Sequence, residues 1–273
     1  MSLVNSTPTR RPMQPIARPL ALVTGASSGI GFELARCCAE DGHDLIVVAD
    51  NSLDSAVAAL EATGAEVQAV QADLATTAGV DAALAALQGR PLQMLIANAG
   101  TGLGRTFLEQ DFAALRHIID TNVTGTLELI HRVAQGMQTR RNGRILITGS
   151  IAGFIPGPHN AVYNASKAFI DSFAQALRNE LDGSGITVTC LMPGATDTAF
   201  FEQADMQNTA LGKGPKDSPS FVADKGYAAL KAGLPGVITG WKNKLQVAAA
   251  SITPAPVMAA VHSKLARQQA GPR

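Results

Sequence analysis

From residue 20 to residue 240 the chain alternates, without a break, between short apolar runs and longer amphipathic stretches. The apolar runs at 20–24, 44–49, 66–70, 92–97, 143–149, 186–191 and 236–239 are strand-sized and rich in Val, Ile and Leu. Between them, helical periodicity covers 29–41, 52–63, 79–88, 107–138, 161–182 and 220–232. Strands buried on both faces and separated by helix-length connections build one parallel, doubly wound α/β sheet with helices on both sides, a three-layer αβα domain. In such a sheet, ligands sit at the carboxyl ends of the strands.

The residue types that carry chemistry fall at those ends. The first strand runs straight into Gly25-Ala26-Ser27-Ser28-Gly29-Ile30-Gly31. Glycines let a backbone approach a phosphate closely, and the first amides of the following helix point at it, so Gly25, Ser27, Ser28, Gly29, Ile30 and Gly31 are predicted to cradle an anion. The second strand ends at Asp50, an acid able to accept hydrogen bonds from ribose hydroxyls and to repel a 2′-phosphate; otherwise it is a solvated loop residue or a helix cap. No Arg or Lys lies in 26–29 or 50–53, which favours NAD over NADP. Asp73-Leu74 follows the third strand, where the acid either meets an adenine amino group or caps the next helix. Asn98-Ala99-Gly100 closes the fourth strand with residues small enough to leave room for a flat ligand. In the long helical stretch 107–138, Phe112, Leu115, Ile119, Val123, Leu127 and Ile130 read as a core stripe. Asn122 interrupts it and predicts a kink, or an amide that ties two elements together.

Tyr163 and Lys167 are four residues apart, hence on one face of the 161–182 helix. Ionising a free tyrosine at pH 7 costs roughly 4 kcal/mol, and one cation ~4 Å away at an effective dielectric of ~20 returns about that much. Lys167 alone is therefore expected to bring the Tyr163 phenol into working range. Ser150 ends the fifth strand, and the 13 residues to Tyr163 leave room for one loop to fold its hydroxyl over the phenol.

The remaining features set bounds. A formal net charge of zero gives no support for a nucleic-acid or anionic-membrane partner. No apolar run reaches membrane-spanning length, and no charged start precedes an apolar signal segment. Cys37, Cys38 and Cys190 fit reduced thiols in a cytoplasmic protein, and no ligand spacing suggests a metal. Residues 1–19 form a basic, proline-rich lead expected to be mobile. One catalytic domain is expected over 20–240, with a lid at 195–219, followed by a partly helical tail over 241–273.

Taken together, Thr24-Gly25-Ala26-Ser27-Ser28-Gly29-Ile30-Gly31, Asn98-Ala99-Gly100, Asn122, Ser150, Tyr163-Asn164-Ala165-Ser166-Lys167 and Pro193-Gly194 resemble the short-chain dehydrogenase/reductase family. The resemblance implies a Rossmann-type fold, a nicotinamide cofactor and a homodimer or homotetramer. It also implies roles: Tyr163 as acid/base, Lys167 as its activator and a ribose ligand, Ser150 on the substrate oxygen, and Asn122 holding a relay water. Pro193, Gly194, Thr196 and Thr198 would flank the nicotinamide. The expected reaction is hydride transfer between NAD(H) and a mostly apolar secondary alcohol or ketone. The alternatives are an NADP-dependent carbonyl or ketoacyl reductase, and a non-catalytic NAD-binding sensor or scaffold.

Overall fold

The computed structural model describes residues 18–267. The lead, apart from Arg18 and Pro19, and the end of the tail lie outside the described residues. The order of elements is β1 (Leu20–Thr24), α1 (Gly29–Glu40), β2 (Asp44–Ala49), α2 (Asp54–Glu61), β3 (Val67–Gln71), α3 (Thr77–Ala85) and β4 (Leu92–Ala97). Then come α4 (Phe112–Ile119), α5 (Thr126–Arg140), β5 (Gly143–Thr148), α6 (Ala161–Glu180) and β6 (Ile186–Met192). The chain continues through α7 (Phe200–Gln203), α8 (Ala210–Lys213), α9 (Pro219–Lys231), β7 (Gly236–Ile238), α10 (Trp241–Ile252) and α11 (Ala255–Ala266).

All seven strands are parallel, in the order β3-β2-β1-β4-β5-β6-β7. The chain winds outward from β1 to one edge, then returns to β4 and winds to the other. The crossovers on either side of β1 therefore diverge and open a crevice at the carboxyl ends of β1 and β4. The central strands are apolar at nearly every position because helices cover both faces, and their side chains divide into two clusters. On one face Leu22, Ile46, Leu95, Ile145 and Val188 pack under α5 and α6. On the other, Val23, Val47, Ile96 and Leu146 pack under α1 and α9, where Leu34 and Cys38 meet Val222 and Leu230. Edge strand β3 is mostly exposed, so it needs less apolar surface than its neighbours.

The long helix expected over 107–138 is broken into pieces. A short 3₁₀ turn at Phe107–Glu109 precedes α4, and a π-helical turn, Asp120–Gly125, joins α4 to α5. Asn122 lies in that turn, at the place where its side chain was expected to disturb the helix. The core stripe also differs from the expected one. Phe112 is 72% exposed and Ile119 46%, and the buried positions are Leu115 and Ile118 before the turn and Leu129, Ile130, Val133 and Met137 after it. The wider turn adds about one residue to the repeat and moves the apolar face around the axis, so a single α-helical phase over the whole stretch fails.

Candidate active site

At the end of β1, Gly25 and Gly29 both adopt positive φ (65° and 59°), conformations open to glycine at little cost. A Cβ on Gly31 would lie 2.0 Å from the Gly25 carbonyl oxygen, so the turn closes only with glycine there. Ser28 stands at the N-cap of α1 without using its side chain as a cap, leaving the first-turn amides directed out of the helix. Ser27 is half-buried, Ser28 is exposed, and Ile30 is half-buried. This cradle fits a dinucleotide pyrophosphate by its backbone shape and by the sign of its partial charge.

A chain of hydrogen bonds fixes the cradle to the rest of the crevice. The amides of Asn98 and Ala99 donate to Thr24 Oγ1 at 2.9 and 3.0 Å. Asn98 Nδ2 donates to the Thr24 carbonyl at 3.2 Å, and its Oδ1 accepts from Thr148 Oγ1 at 3.0 Å. The Lys167 ammonium donates to the Thr148 carbonyl at 2.8 Å. The Asn98 side chain is thus a brace between β1, β4 and β5, and any contact from this position to a ligand falls to the Ala99-Gly100 backbone. Gly100 borders both Lys167 Nζ and Asn122 Oδ1.

Asn122, 2% exposed, donates through Nδ2 to the Thr101 carbonyl (2.9 Å) and to Ser166 Oγ (3.0 Å), and accepts the Thr101 amide at 2.8 Å. Its amide ties the π-turn to α6 and to the loop after β4, so here it is both the kink and the tie. The 3₁₀ turn Ile151–Phe154 folds the chain back after Ser150, whose hydroxyl accepts the Ala152 amide at 3.1 Å, donates to the Pro193 carbonyl at 3.5 Å and lies beside the Tyr163 phenol. Lys167 Nζ lies 5.9 Å from the Tyr163 ring centroid. Ser150, Tyr163, Lys167 and Asn122 therefore gather at one place, beside the cradle.

The electrostatics differ from the expectation. Burial pushes the Tyr163 phenol up to about 12, opposed by the neighbouring Ser150 hydroxyl, and the Asp171 carboxylate adds to the rise. Burial also lowers Lys167. Lys167 does not by itself bring the phenol into working range, because both groups lose solvation in the crevice and the ammonium is committed to the Thr148 carbonyl.

The acids at the strand ends behave differently. Asp50 is exposed, and neither it nor Ser52 caps α2, whose N-cap is Leu53. The Asp50 carboxylate is left open, and only its backbone carbonyl is engaged, by Gln71. Asp73 Oδ1 accepts the Ala75 amide at 2.9 Å, and the cap of α3 is Thr76 rather than Asp73. Leu74 is buried in the core. After β6, the Pro193 carbonyl accepts the Ile151 amide at 3.0 Å, which joins this segment to the Ser150 turn. Gly194 abuts Asn243 of α10, Thr196 is buried, and Thr198 touches Gly29 on the cradle. From there the chain passes over the crevice. Phe200 packs 5.0 Å from the Tyr163 ring, Met206 lies against Gly104, and Arg105 pairs with Asp205 (Nε to Oδ2, 2.9 Å). The tail reaches the same region, with His159 bonding Ser263 and His262 bonding the Pro158 carbonyl.

Sequence reasoning missed the bracing roles of Thr24, Thr148 and Ser166, whose hydroxyls meet backbone amides or the Asn98 and Asn122 side chains, partners distant in sequence that no local pattern announces. It also missed Asp171, although its place one helical turn beyond Lys167 was visible. Among the described residues, no cluster of three His, Cys, Asp or Glu could hold a metal, and no helix is long and apolar enough to cross a membrane.

A family model described as short chain dehydrogenase matches residues 19–209, which span β1 to β6 and include the glycine cradle, Asn122, Ser150, Tyr163 and Lys167. The chain belongs to the short-chain dehydrogenase/reductase family. It is 30% identical over 250 residues to the ketoacyl reductase HetN of Nostoc sp., covering 86% of this chain and 85% of the relative. Among solved structures, a short-chain dehydrogenase from Sphingobium yanoikuyae in complex with NADPH is 30% identical, with a TM-score of 0.78 over 93% of this chain and 98% of that one. A short-chain dehydrogenase/reductase from Burkholderia phymatum in complex with NAD is 25% identical, with a TM-score of 0.77 over 86% and 94%. This short-chain dehydrogenase/reductase is thus an oxidoreductase with a Rossmann-type NAD(P)-binding domain.

Proposed function

We propose that this enzyme transfers a hydride between NAD(H) and a secondary alcohol or ketone, with Tyr163 as the proton donor and acceptor. The observation that carries the reading is the meeting of the Ser150 and Tyr163 hydroxyls, with Lys167 behind them, beside the glycine cradle. A bound nicotinamide supplies the hydride donor or acceptor. Ser150 orients the substrate oxygen. With its proton held firmly, Tyr163 is suited to give it to a forming alkoxide; in the reverse direction the phenolate takes the hydroxyl proton. Lys167 and the relay position at Asn122 support that proton movement. Pro193, Gly194, Thr196 and Thr198 line the nicotinamide side.

The preference for NAD rests on Asp50. Its open carboxylate at the end of β2 would accept ribose hydroxyls and repel a 2′-phosphate, with no Arg or Lys in 50–53 to offset it. Phe200 packs on Tyr163 and Met206 on Gly104, an apolar roof that suits an apolar carbonyl substrate. The second reading, an NADP-dependent ketoacyl reductase, is favoured by the similarity to the ketoacyl reductase HetN and by the NADPH in the Sphingobium structure. Segment 195–219 is read as the substrate lid, and the active form as a homodimer or homotetramer in the cytoplasm.

The test is absorbance at the reduced nicotinamide band with NADH and NADPH against apolar ketones and a ketoacyl thioester. Turnover with NADH on ketones supports the first reading, and turnover confined to NADPH and the thioester supports the second. Tight cofactor binding with no turnover on the whole panel would leave only a sensor role.

A further inference from the structure

Directly behind the Ser150 turn lies a carboxylate that the reaction just described does not use. Asp171 is 9% exposed, on the same face of α6 as Lys167 and one turn beyond it. Its Oδ1 accepts the Ser150 amide at 3.3 Å and the Cys190 thiol at 3.4 Å. Its Oδ2 is buried without a hydrogen-bond partner. The space for it exists only because two neighbours lack side chains: a Cβ on Gly149 would fall 1.7 Å from Oδ1, and one on Gly153 would fall 2.4 Å from Oδ2. A buried carboxyl with an unpartnered oxygen is costly, so its position calls for a function beyond packing.

We propose that Asp171 is a positioning residue for hydride transfer: it holds the Ser150 turn through the backbone amide, and its charge acts on the Lys167 and Tyr163 pair that precedes it on α6. The proposal rests on the oxidoreductase reading. Asp171 touches the Ser150 amide from the turn after β5 and the Cys190 thiol from β6, with Lys167 one turn back on α6 and Tyr163 two turns back. Ionised Asp171 stabilises the Lys167 cation and opposes the Tyr163 phenolate. Burial raises Asp171 itself to about 6, against which Lys167 pulls down, so the charge in this pocket changes close to neutral pH.

Two substitutions separate the roles. Asp171→Asn keeps an acceptor for the Ser150 amide and removes the charge, whereas Asp171→Ala removes both. In Asp171→Asn, the pH at which alcohol oxidation rises should move about half a unit or more to lower pH, because Tyr163 ionises with less opposition. Asp171→Ala should show the same shift together with a fall in kcat of about tenfold or more, with cofactor Kd unchanged, because the Ser150 hydroxyl is no longer fixed. A second readout does not need turnover. Tyr163 and Tyr227 are the two tyrosines, so Tyr227→Phe leaves Tyr163 as the sole source of tyrosinate absorbance. At about pH 10.5, with the fold verified by circular dichroism, the ionised fraction should be about threefold higher when Asp171→Asn is added. An unchanged oxidation profile and unchanged tyrosinate fraction overturn the proposal. If no substrate turns over in the unaltered enzyme but the tyrosinate fraction still rises, the charge coupling stands and the oxidoreductase reading is what failed.

Discussion

Replacing Asp171 by Asn should change how stability depends on pH, whatever the substrate. In the folded chain the carboxyl is raised from 3.8 to about 6, with burial as the main cause. That rise corresponds to roughly 3 kcal/mol of preference for the protonated form in the native state. The sign follows from proton counting. Between these two values the folded state holds the proton and the unfolded state does not, so this group's contribution to stability falls as pH rises and the full penalty is present above the folded value. From about pH 4.5 to pH 7.5 the wild type should lose about 2 kcal/mol relative to Asp171→Asn, whose amide does not titrate. Urea unfolding of both proteins at the two pH values, without cofactor, measures the difference. Parallel pH dependences would mean that Asp171 titrates like a solvated carboxyl and would refute the account of its burial.

Four further outcomes follow from the geometry. Tyr163→Phe should abolish turnover while leaving the cofactor Kd within about twofold; retained turnover would remove Tyr163 from its role. Asp50→Ala should raise NADP affinity about tenfold or more relative to NAD, read by fluorescence titration of both reduced cofactors. Gly31→Ala should cost cofactor binding outright and about 3 kcal/mol or more of stability, because the added methyl collides with the Gly25 carbonyl. Arg105→Ala removes the Arg105–Asp205 pair that fastens the roof to the loop after β4. It should raise KM for apolar ketones several-fold with little change in global stability, since solvent screens an exposed ion pair.

The order of strands and helices, the carboxyl-end location of each motif and the adjacency of Tyr163 and Lys167 were legible in the sequence. Each depends on local periodicity or on the short-range geometry of one turn. Asn122 was legible as a defect in a helix, because an amide side chain competes with the backbone wherever it sits. Its consequence for packing was not. The π-turn moves the apolar face after it, and that depends on the core α5 must meet. Assigning helix caps to Asp50 or Asp73 failed for a related reason: Leu53 and Thr76 take those positions once the chain has left the sheet.

The acidity of the site lay furthest from what a sequence can carry. Spacing put a cation one turn from a phenol and stopped there. Burial of both groups, the commitment of Lys167 to the Thr148 carbonyl and the carboxylate of Asp171 behind them together reverse the sign of the expected shift. Solvation and through-space charge are properties of the closed crevice, built from β1, β4, β5, β6 and α6 at once. The chain's local pattern therefore determined which groups would be present and at which edge of the sheet; only the packed structure decided which of them hold protons.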